Sequence, residues 1–405
     1  MNLLKKTIKF GSGVVLAQLI TAASIPLLAR LYTPEEFSLF GMYFSLASVL
    51  LVFVTLKLET ILPKEKDISI KLPIINTVSL ITFIPLSLVS FSIICLIDNG
   101  VSFKNLIFSI LVVIAAIVFN FFNAISILNI RQNKINLINR ARVSRSFLAV
   151  LFQIIFSFMK GGLFLGEFFG RVIGLSILSH RENYNLKFRQ AIDLIKEKFN
   201  YIQYVVLGGF FNTLGLNLYP IIVLKFYDPI LIGKFFFIQK ILSSPVTIFA
   251  QSISMSLLGD FNKIVEKDKK SLVRKMNKIS ILLFIFSLIG FLSLAVLLGK
   301  WDSYIFGNNW SGISVYVYIL TPFLVGQVSF SPFSQLLILF GGEKKQFIWD
   351  LVRLLFVLVS IFAPFYIDVD NNFEMSLLIY SISNFFMYLL HYLILVNSIL
   401  RFKHV

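Results

Sequence analysis

Twelve stretches of this chain are each long and apolar enough to cross a bilayer, and that fact restricts the fold more than any motif does. They cover roughly residues 8–31, 37–56, 73–97, 105–128, 144–160, 162–178, 203–225, 231–257, 279–299, 313–339, 347–366 and 374–398. A spanning helix needs about 20 mainly apolar residues. The rest of the chain cannot provide an alternative. With 57% hydrophobic and 14% charged residues, against about a quarter charged in a soluble domain, it cannot cover itself with polar surface. The expected fold class is an all-α integral membrane protein. The start, "MNLLKKTIKF", has the basic character of a signal-peptide n-region. However, the following apolar run continues through Leu31 with no small-residue cleavage site, so a retained first span is expected. The fifth and sixth spans are joined by "MKGG", a tight external hairpin. Segments 180–200 and 259–278 read as amphipathic or charged helix extensions.

The net charge of +17 sorts by side. With the N-terminus inside, the cytoplasmic segments hold 28 of the 37 Lys and Arg. Six lie outside (Arg30, Lys104, Lys160, Lys225, Lys234, Lys300) and three lie within spans (Arg171, Lys240, Arg353). The positive-inside rule then places both termini in the cytoplasm. It also accounts for the bases without a nucleic-acid partner. Trp301, Trp310 and Trp349 fall near predicted interfaces, as aromatic belts require. The single Cys95 gives redox chemistry no support.

One phrase occurs twice, as "IPLLARLYTPEEFSLFGMYF" and "YPIIVLKFYDPILIGKFFF". Each runs Pro, apolar residues, a base, any residue, Tyr, Thr or Asp, Pro, then Gly-x-Tyr/Phe. The bases are Arg30 and Lys225, 195 positions apart. Thr33–Pro34 and Asp228–Pro229 are N-cap and N1 signals, so each copy is a corner between two helices. Six spans separate the copies, which predicts two pseudo-symmetric six-helix lobes of parallel topology, residues 1–200 and 201–405. That is a common transporter plan, with the substrate site between the halves.

Charges within spans are costly, at about 2.5–3.5 kcal/mol each on insertion scales, so each needs a reason. Glu167 and Arg171 are i,i+4 on the sixth span and can pair. The same helix carries Gly162, Gly166, Gly170 and Gly174, a stripe that allows close helix approach. Asp350 and Arg353 are i,i+3, and read structurally they form a neutralised pair with Arg353 snorkelling. Lys240 has no acid three or four positions away on its helix, which favours a wet cavity. Arg30 and Lys57 lie near span ends, and Glu59 is placed to pair with a base elsewhere. Gln18 and Asn217 are mid-span polar residues, suited to interhelical hydrogen bonds.

The stretch "GSGVVLAQLITAASIPLLARLYTPEEFSLFGMYFSLASVLLVFVTLKLETILP" resembles the bacterial polysaccharide (O-antigen type) flippases of the multidrug/oligosaccharidyl-lipid/polysaccharide exporter superfamily. So do "LNIRQNKINLINRARVSRS", "LNLYPIIVLKFYDPILIGKFFFIQKILSSPV", "IFGNNW", "SPFSQ" and "WDLVRLL", in the family's order. The resemblance implies twelve helices in two lobes around a central cationic cavity. It implies movement of undecaprenyl-pyrophosphate-linked oligosaccharides from the cytoplasmic to the outer leaflet of the bacterial inner membrane. Implied partners are that lipid-linked glycan, the bilayer, and a polysaccharide polymerase with its chain-length regulator. Arg30, Lys57, Lys240 and Arg353 are the candidate cavity bases. Supporting candidates are Gln18, Glu59, Glu167, Arg171, Asn217 and Asp350.

A cation-coupled multidrug exporter of the same superfamily is the nearest alternative. Such proteins generally carry a carboxylate in the first span, and residues 8–31 contain none. A membrane polysaccharide polymerase or acyltransferase would need a sizeable external loop bearing catalytic groups, and no external segment exceeds roughly fifteen residues. His180, His391 and His404 show no metal spacing, and no phosphate loop appears. No metal, cofactor or catalytic residue is expected.

Overall fold

A computed structural model describes residues 3–64, 68–179, 186–242, 246, 269–367 and 372–402. The chain is an all-α membrane protein. Its α-helices are α1 (Leu3–Leu31), α2 (Pro34–Val54), α3 (Ile68–Ile97), α4 (Phe103–Arg131), α5 (Ile135–Ile155), α6 (Gly162–Leu178), α7 (Phe188–Glu197) and α8 (Phe199–Phe226). They continue with α9 over 229–242, α10 (Lys269–Phe306), α11 (Ser314–Phe330), α12 (Ser334–Leu339), α13 (Glu343–Phe362), α14 (Pro364–Ile367) and α15 (Asn372–Arg401). Each of the twelve apolar runs has its helix. The latter part of the eighth run, to 257, lies largely outside the described residues. Eight of the described spans are long and apolar enough by composition alone to cross a membrane. Helices α5, α6 and α13 are not among them. They are the helices that carry Arg145, Glu167, Arg171, Asp350 and Arg353.

Three differences from the sequence reading matter. Helix α5 starts at Ile135, nine residues before the expected 144, so the basic stretch around Arg142 and Arg145 is helical. Pro332 and Pro364 interrupt the tenth and eleventh spans, as expected of a residue without an amide proton. Of the three tryptophans, Trp301 is exposed, whereas Trp310 and Trp349 are buried within the protein. Trp310 packs on Phe237 with ring centroids 4.1 Å apart, and the Trp349 indole N–H donates to the Met387 carbonyl at 2.7 Å.

Two compact units divide the chain, Met1–Phe226 and Tyr227–Val405. In the first, α5 packs against α6 and α1, α2 against α8 and α4, and α3 against α4 and α7. Its core gathers Leu58, Leu62, Leu72, Ile75, Val78, Ile125 and Ile138. In the second, α11 packs against α10 and α15, and α13 against α15.

Both copies of the repeated phrase form the corner that their residues predict. Pro34 opens α2, and the Glu36 carboxylate accepts from the Thr33 amide at 3.0 Å. The Asp228 carboxylate accepts from the Ile230 amide at 2.7 Å, at the start of α9. The phrase's tyrosine has the same task in each unit. The Tyr32 hydroxyl donates to the Gln153 carbonyl on α5 at 2.5 Å, and the Tyr227 hydroxyl to the Ile361 carbonyl on α13 at 3.0 Å.

A second repetition lies in the turns that precede those helices. After α4, the amides of Gln132, Asn133 and Lys134 donate to the carbonyls of Leu128, Ile130 and Asn129. After α12, those of Phe340, Gly341 and Gly342 donate to Leu336, Ile338 and Leu337. Asn133 and Gly341 are both left-handed, at φ 56° and 69°, a conformation that suits glycine and asparagine. The two turns match residue for residue.

Candidate functional site

The densest packing in the first unit is between α5 and α6, and glycine causes it. A Cβ on Gly166 would stand 2.5 Å from the Gln153 amide nitrogen. One on Gly170 would stand 2.7 Å from Ala149 Cα, and one on Gly174 would stand 2.8 Å from Arg145 Cβ. The four-residue stripe on α6 thus faces Arg145, Ala149 and Gln153, spaced by four on α5. Absence of side chains on one helix lets the two backbones approach.

That approach brings three charges together. Arg171 Nε lies 2.8 Å from Glu167 Oε1, the expected pair. Arg145 Nη2 reaches the same oxygen from α5, at 3.7 Å. Arg171 is only 8% exposed and its guanidinium is flanked by Phe119 and Phe44, at 4.5 and 5.8 Å from the ring centroids. Arg145 lies over Phe122 at 5.5 Å. Two guanidiniums share one carboxylate, and the surrounding rings present their negative faces to the excess charge.

In the second unit, Arg353 is 2% exposed, so it does not snorkel as a paired residue would. Its Nε donates to Asn384 Oδ1 at 3.1 Å, and its guanidinium sits 5.2 and 5.3 Å from the centroids of Trp349 and Tyr388. Asp350, 3% exposed, accepts from Gln346 Nε2 at 3.3 Å and makes no ion pair with Arg353 among the described residues. The expected neutralised pair is therefore absent. Helix geometry puts the two residues on one face, but Arg353 extends to Asn384 on α15 instead. Among the described residues, Arg353 Nη2 and Asp350 Oδ1 are both buried without a hydrogen bond. His391 is packed, with Nε2 2.7 Å from Gln346 Oε1 and its ring against Trp349.

The remaining candidates are dispersed. Arg30 is exposed in the last turn of α1. Lys57 follows α2 in a corner where Leu56 and Lys57 are both left-handed, at φ 52° and 59°. Such backbone costs roughly 1–2 kcal/mol per non-glycine residue. The Lys57 stem passes α8 at Gly209, where a Cβ would lie 3.0 Å from Lys57 Cε. Thr60 Oγ1 and the Tyr201 hydroxyl, 2.9 Å apart, tie the same corner to α8. Glu59 binds no base among the described residues. It accepts from the Thr55 hydroxyl, which in turn accepts from Asn120 Nδ2 at 3.1 Å. Asn217 donates back to the Thr213 carbonyl of its own helix at 2.9 Å. Gln18 and Lys240 are half-buried on α1 and α9. Among the described residues no cluster of His, Cys, Asp or Glu could hold a metal.

The family model of polysaccharide biosynthesis proteins matches residues 27–315, more than two thirds of the sequence. The chain belongs to this polysaccharide biosynthesis family. No curated protein sequence matches it. Among solved structures, this polysaccharide biosynthesis protein is similar to "Lipid II flippase MurJ, inward closed conformation". The TM-score is 0.71 at 15% identity, over 98% of this chain and 88% of that one. An inward-facing multidrug resistance MATE family transporter of the MOP superfamily gives 0.65 at 13% identity, over 97% and 96%. A MOP superfamily transporter from Pyrococcus furiosus gives 0.51 at 14% identity, over 99% and 97%. These likenesses establish the fold, that of membrane flippases and transporters.

The sequence reading missed Arg145 as a member of the charge cluster with Glu167 and Arg171. It counted Arg145 with the cytoplasmic bases because the residue stands at the very start of the fifth apolar run, 144–160. The available signal was the four-residue spacing of Ala141, Arg145, Ala149 and Gln153, complementary to the glycine stripe.

Proposed function

We propose that the chain is a flippase. It carries undecaprenyl-pyrophosphate-linked oligosaccharide repeat units from the cytoplasmic to the outer leaflet of the bacterial inner membrane, by alternating access through a cationic cavity. The observation that carries this reading is the state of Arg353. A guanidinium buried this deeply, with an Nη2 that makes no hydrogen bond and no carboxylate in salt-bridge contact among the described residues, is a strong site for an oxyanion. Pyrophosphate cannot enter hydrocarbon bare, and charge-assisted bonds from arginine replace its hydration. The Trp349 and Tyr388 rings hold the guanidinium in place. Arg30, Lys57 and Lys240 are further candidate bases, Arg30 exposed and Lys240 half-buried. The charge asymmetry of the loops supports cytoplasmic termini, and a glycan polymerase with its chain-length regulator would act on the product.

A second reading has its own observation. Asp350 is a buried carboxylate whose Oδ1 makes no hydrogen bond among the described residues, which suits a cation-coupled multidrug exporter. The test is Arg353→Gln and Arg353→Glu in cells that depend on this chain for surface glycan. Surface glycan should fall about tenfold or more for Gln and further for Glu, with lipid-linked precursor accumulating and membrane abundance unchanged. Normal glycan in both variants, together with lost efflux of organic cations in Asp350→Asn, would transfer the assignment to the exporter.

A further inference from the structure

We infer that Arg145 is the first unit's counterpart of Arg353 and binds a phosphate oxyanion of the same lipid-linked substrate, an inference that rests on the flippase reading. The argument begins from register. The turn before α5 and the turn before α13 share three backbone hydrogen bonds and a left-handed residue, Asn133 in one and Gly341 in the other, 208 positions apart. A fourth shared bond follows, from the Ile138 amide to the Lys134 carbonyl and from the Gln346 amide to the Gly342 carbonyl. The far ends of the two helices agree independently. The repeated tyrosine reaches Gln153 on α5 and Ile361 on α13, again 208 apart. With both ends fixed, the helices align without a slip. A shift of one residue would turn every side chain by about 100°. At this offset Arg145 falls on Arg353, each eight residues before the carbonyl that its tyrosine caps.

The chemistry at Arg145 agrees. Glu167 Oε1 is held by Arg171 at 2.8 Å and only distantly by Arg145 at 3.7 Å, so one positive charge is left over. The Arg145 side chain is 25% exposed against 9% for Arg171, so it is the accessible member of the pair. Gly174 leaves room for its stem. A residue that served only to neutralise Glu167 would be redundant beside Arg171.

The test uses the full chain in lipid nanodiscs with undecaprenyl pyrophosphate as the probe, and glycan export in cells. Arg145→Gln and Arg353→Gln should each weaken binding and export about ten- to hundredfold, the loss of one charge-assisted contact. The double variant Arg145→Gln/Glu167→Gln should remain as defective as Arg145→Gln. Its return to normal would mean that Arg145 only balances Glu167, and would overturn the inference. If Arg353→Gln binds weakly while Arg145→Gln binds normally, this inference alone fails. If both bind normally, the flippase reading of these bases fails with it. Should Arg145→Gln not reach the membrane, Arg145→Lys keeps the charge but loses the planar fork. It should still bind about tenfold more weakly, and unchanged binding would again overturn the assignment.

Discussion

Replacing Gly170 with alanine adds one methyl group, and the structure puts a number on its effect. That methyl carbon would stand 2.7 Å from Ala149 Cα and N, both backbone atoms on the facing helix. Ordinary contact begins at 3.4 Å, so α5 and α6 must part by at least 0.7 Å, the difference of the two. A gap of 0.5–1 Å forfeits about a quarter to a half of each atom-pair attraction of roughly 0.1–0.2 kcal/mol. If the seam holds about 50 such pairs, near what a single buried leucine makes, the loss is about 1–5 kcal/mol. The separation would also carry Arg145 beyond pairing distance of Glu167. The assay is heating of the purified full-length protein in detergent, followed by size-exclusion chromatography to measure what stays monodisperse. Gly170→Ala should lower the apparent melting temperature by several degrees. Gly208→Ala is the control, because nothing lies within 4 Å of its Cβ position. Alanine's better helix propensity should make it neutral or stabilising by up to about 1 kcal/mol. Equal melting temperatures for the two variants would refute the close-packing account.

Two further outcomes are expected. Lys57→Asn removes the charge but keeps a residue that tolerates the left-handed backbone, so folding and abundance should hold while glycan export falls about tenfold. Lys57→Arg should export more than Lys57→Asn, and equal, normal export by both would remove Lys57 from the site. Asp302→Ala strips the Gly312 amide of its 2.7 Å acceptor beside buried Trp310, and should cost about 1–3 kcal/mol with a red-shifted tryptophan emission. An unshifted spectrum and melting curve would show that the carboxylate does not hold this loop.

The helices were legible because apolar runs and corner signals are local. Thr33–Pro34 and Asp228–Pro229 specify their own geometry, and the glycine stripe announced a close neighbour. What was not legible depended on distance in sequence. The start of α5 was misplaced because hydropathy marks where a helix enters hydrocarbon, not where it begins, and Arg145, at the edge of the apolar run, was counted with the cytoplasmic bases. Asp350 and Arg353 looked like a pair from their spacing alone. In the structure Arg353 is drawn instead to Asn384, 31 positions away on α15. Glu59 looked short of a base, yet Thr55, four residues back, already serves it. Spacing on one helix says which residues share a face; the facing helix determines which of them bond.

The most direct test of the central claim is leaflet exchange in reconstituted vesicles. The full chain is placed in vesicles that contain fluorescent undecaprenyl-pyrophosphate-linked sugar, and a membrane-impermeant reagent reports the fraction in the accessible leaflet over time. The account predicts that the wild-type chain exchanges the lipid well above the protein-free rate, and that Arg353→Gln slows this about ten- to hundredfold without altering reconstitution. Exchange no faster than in protein-free vesicles, or an Arg353→Gln variant that exchanges at the wild-type rate, would contradict it.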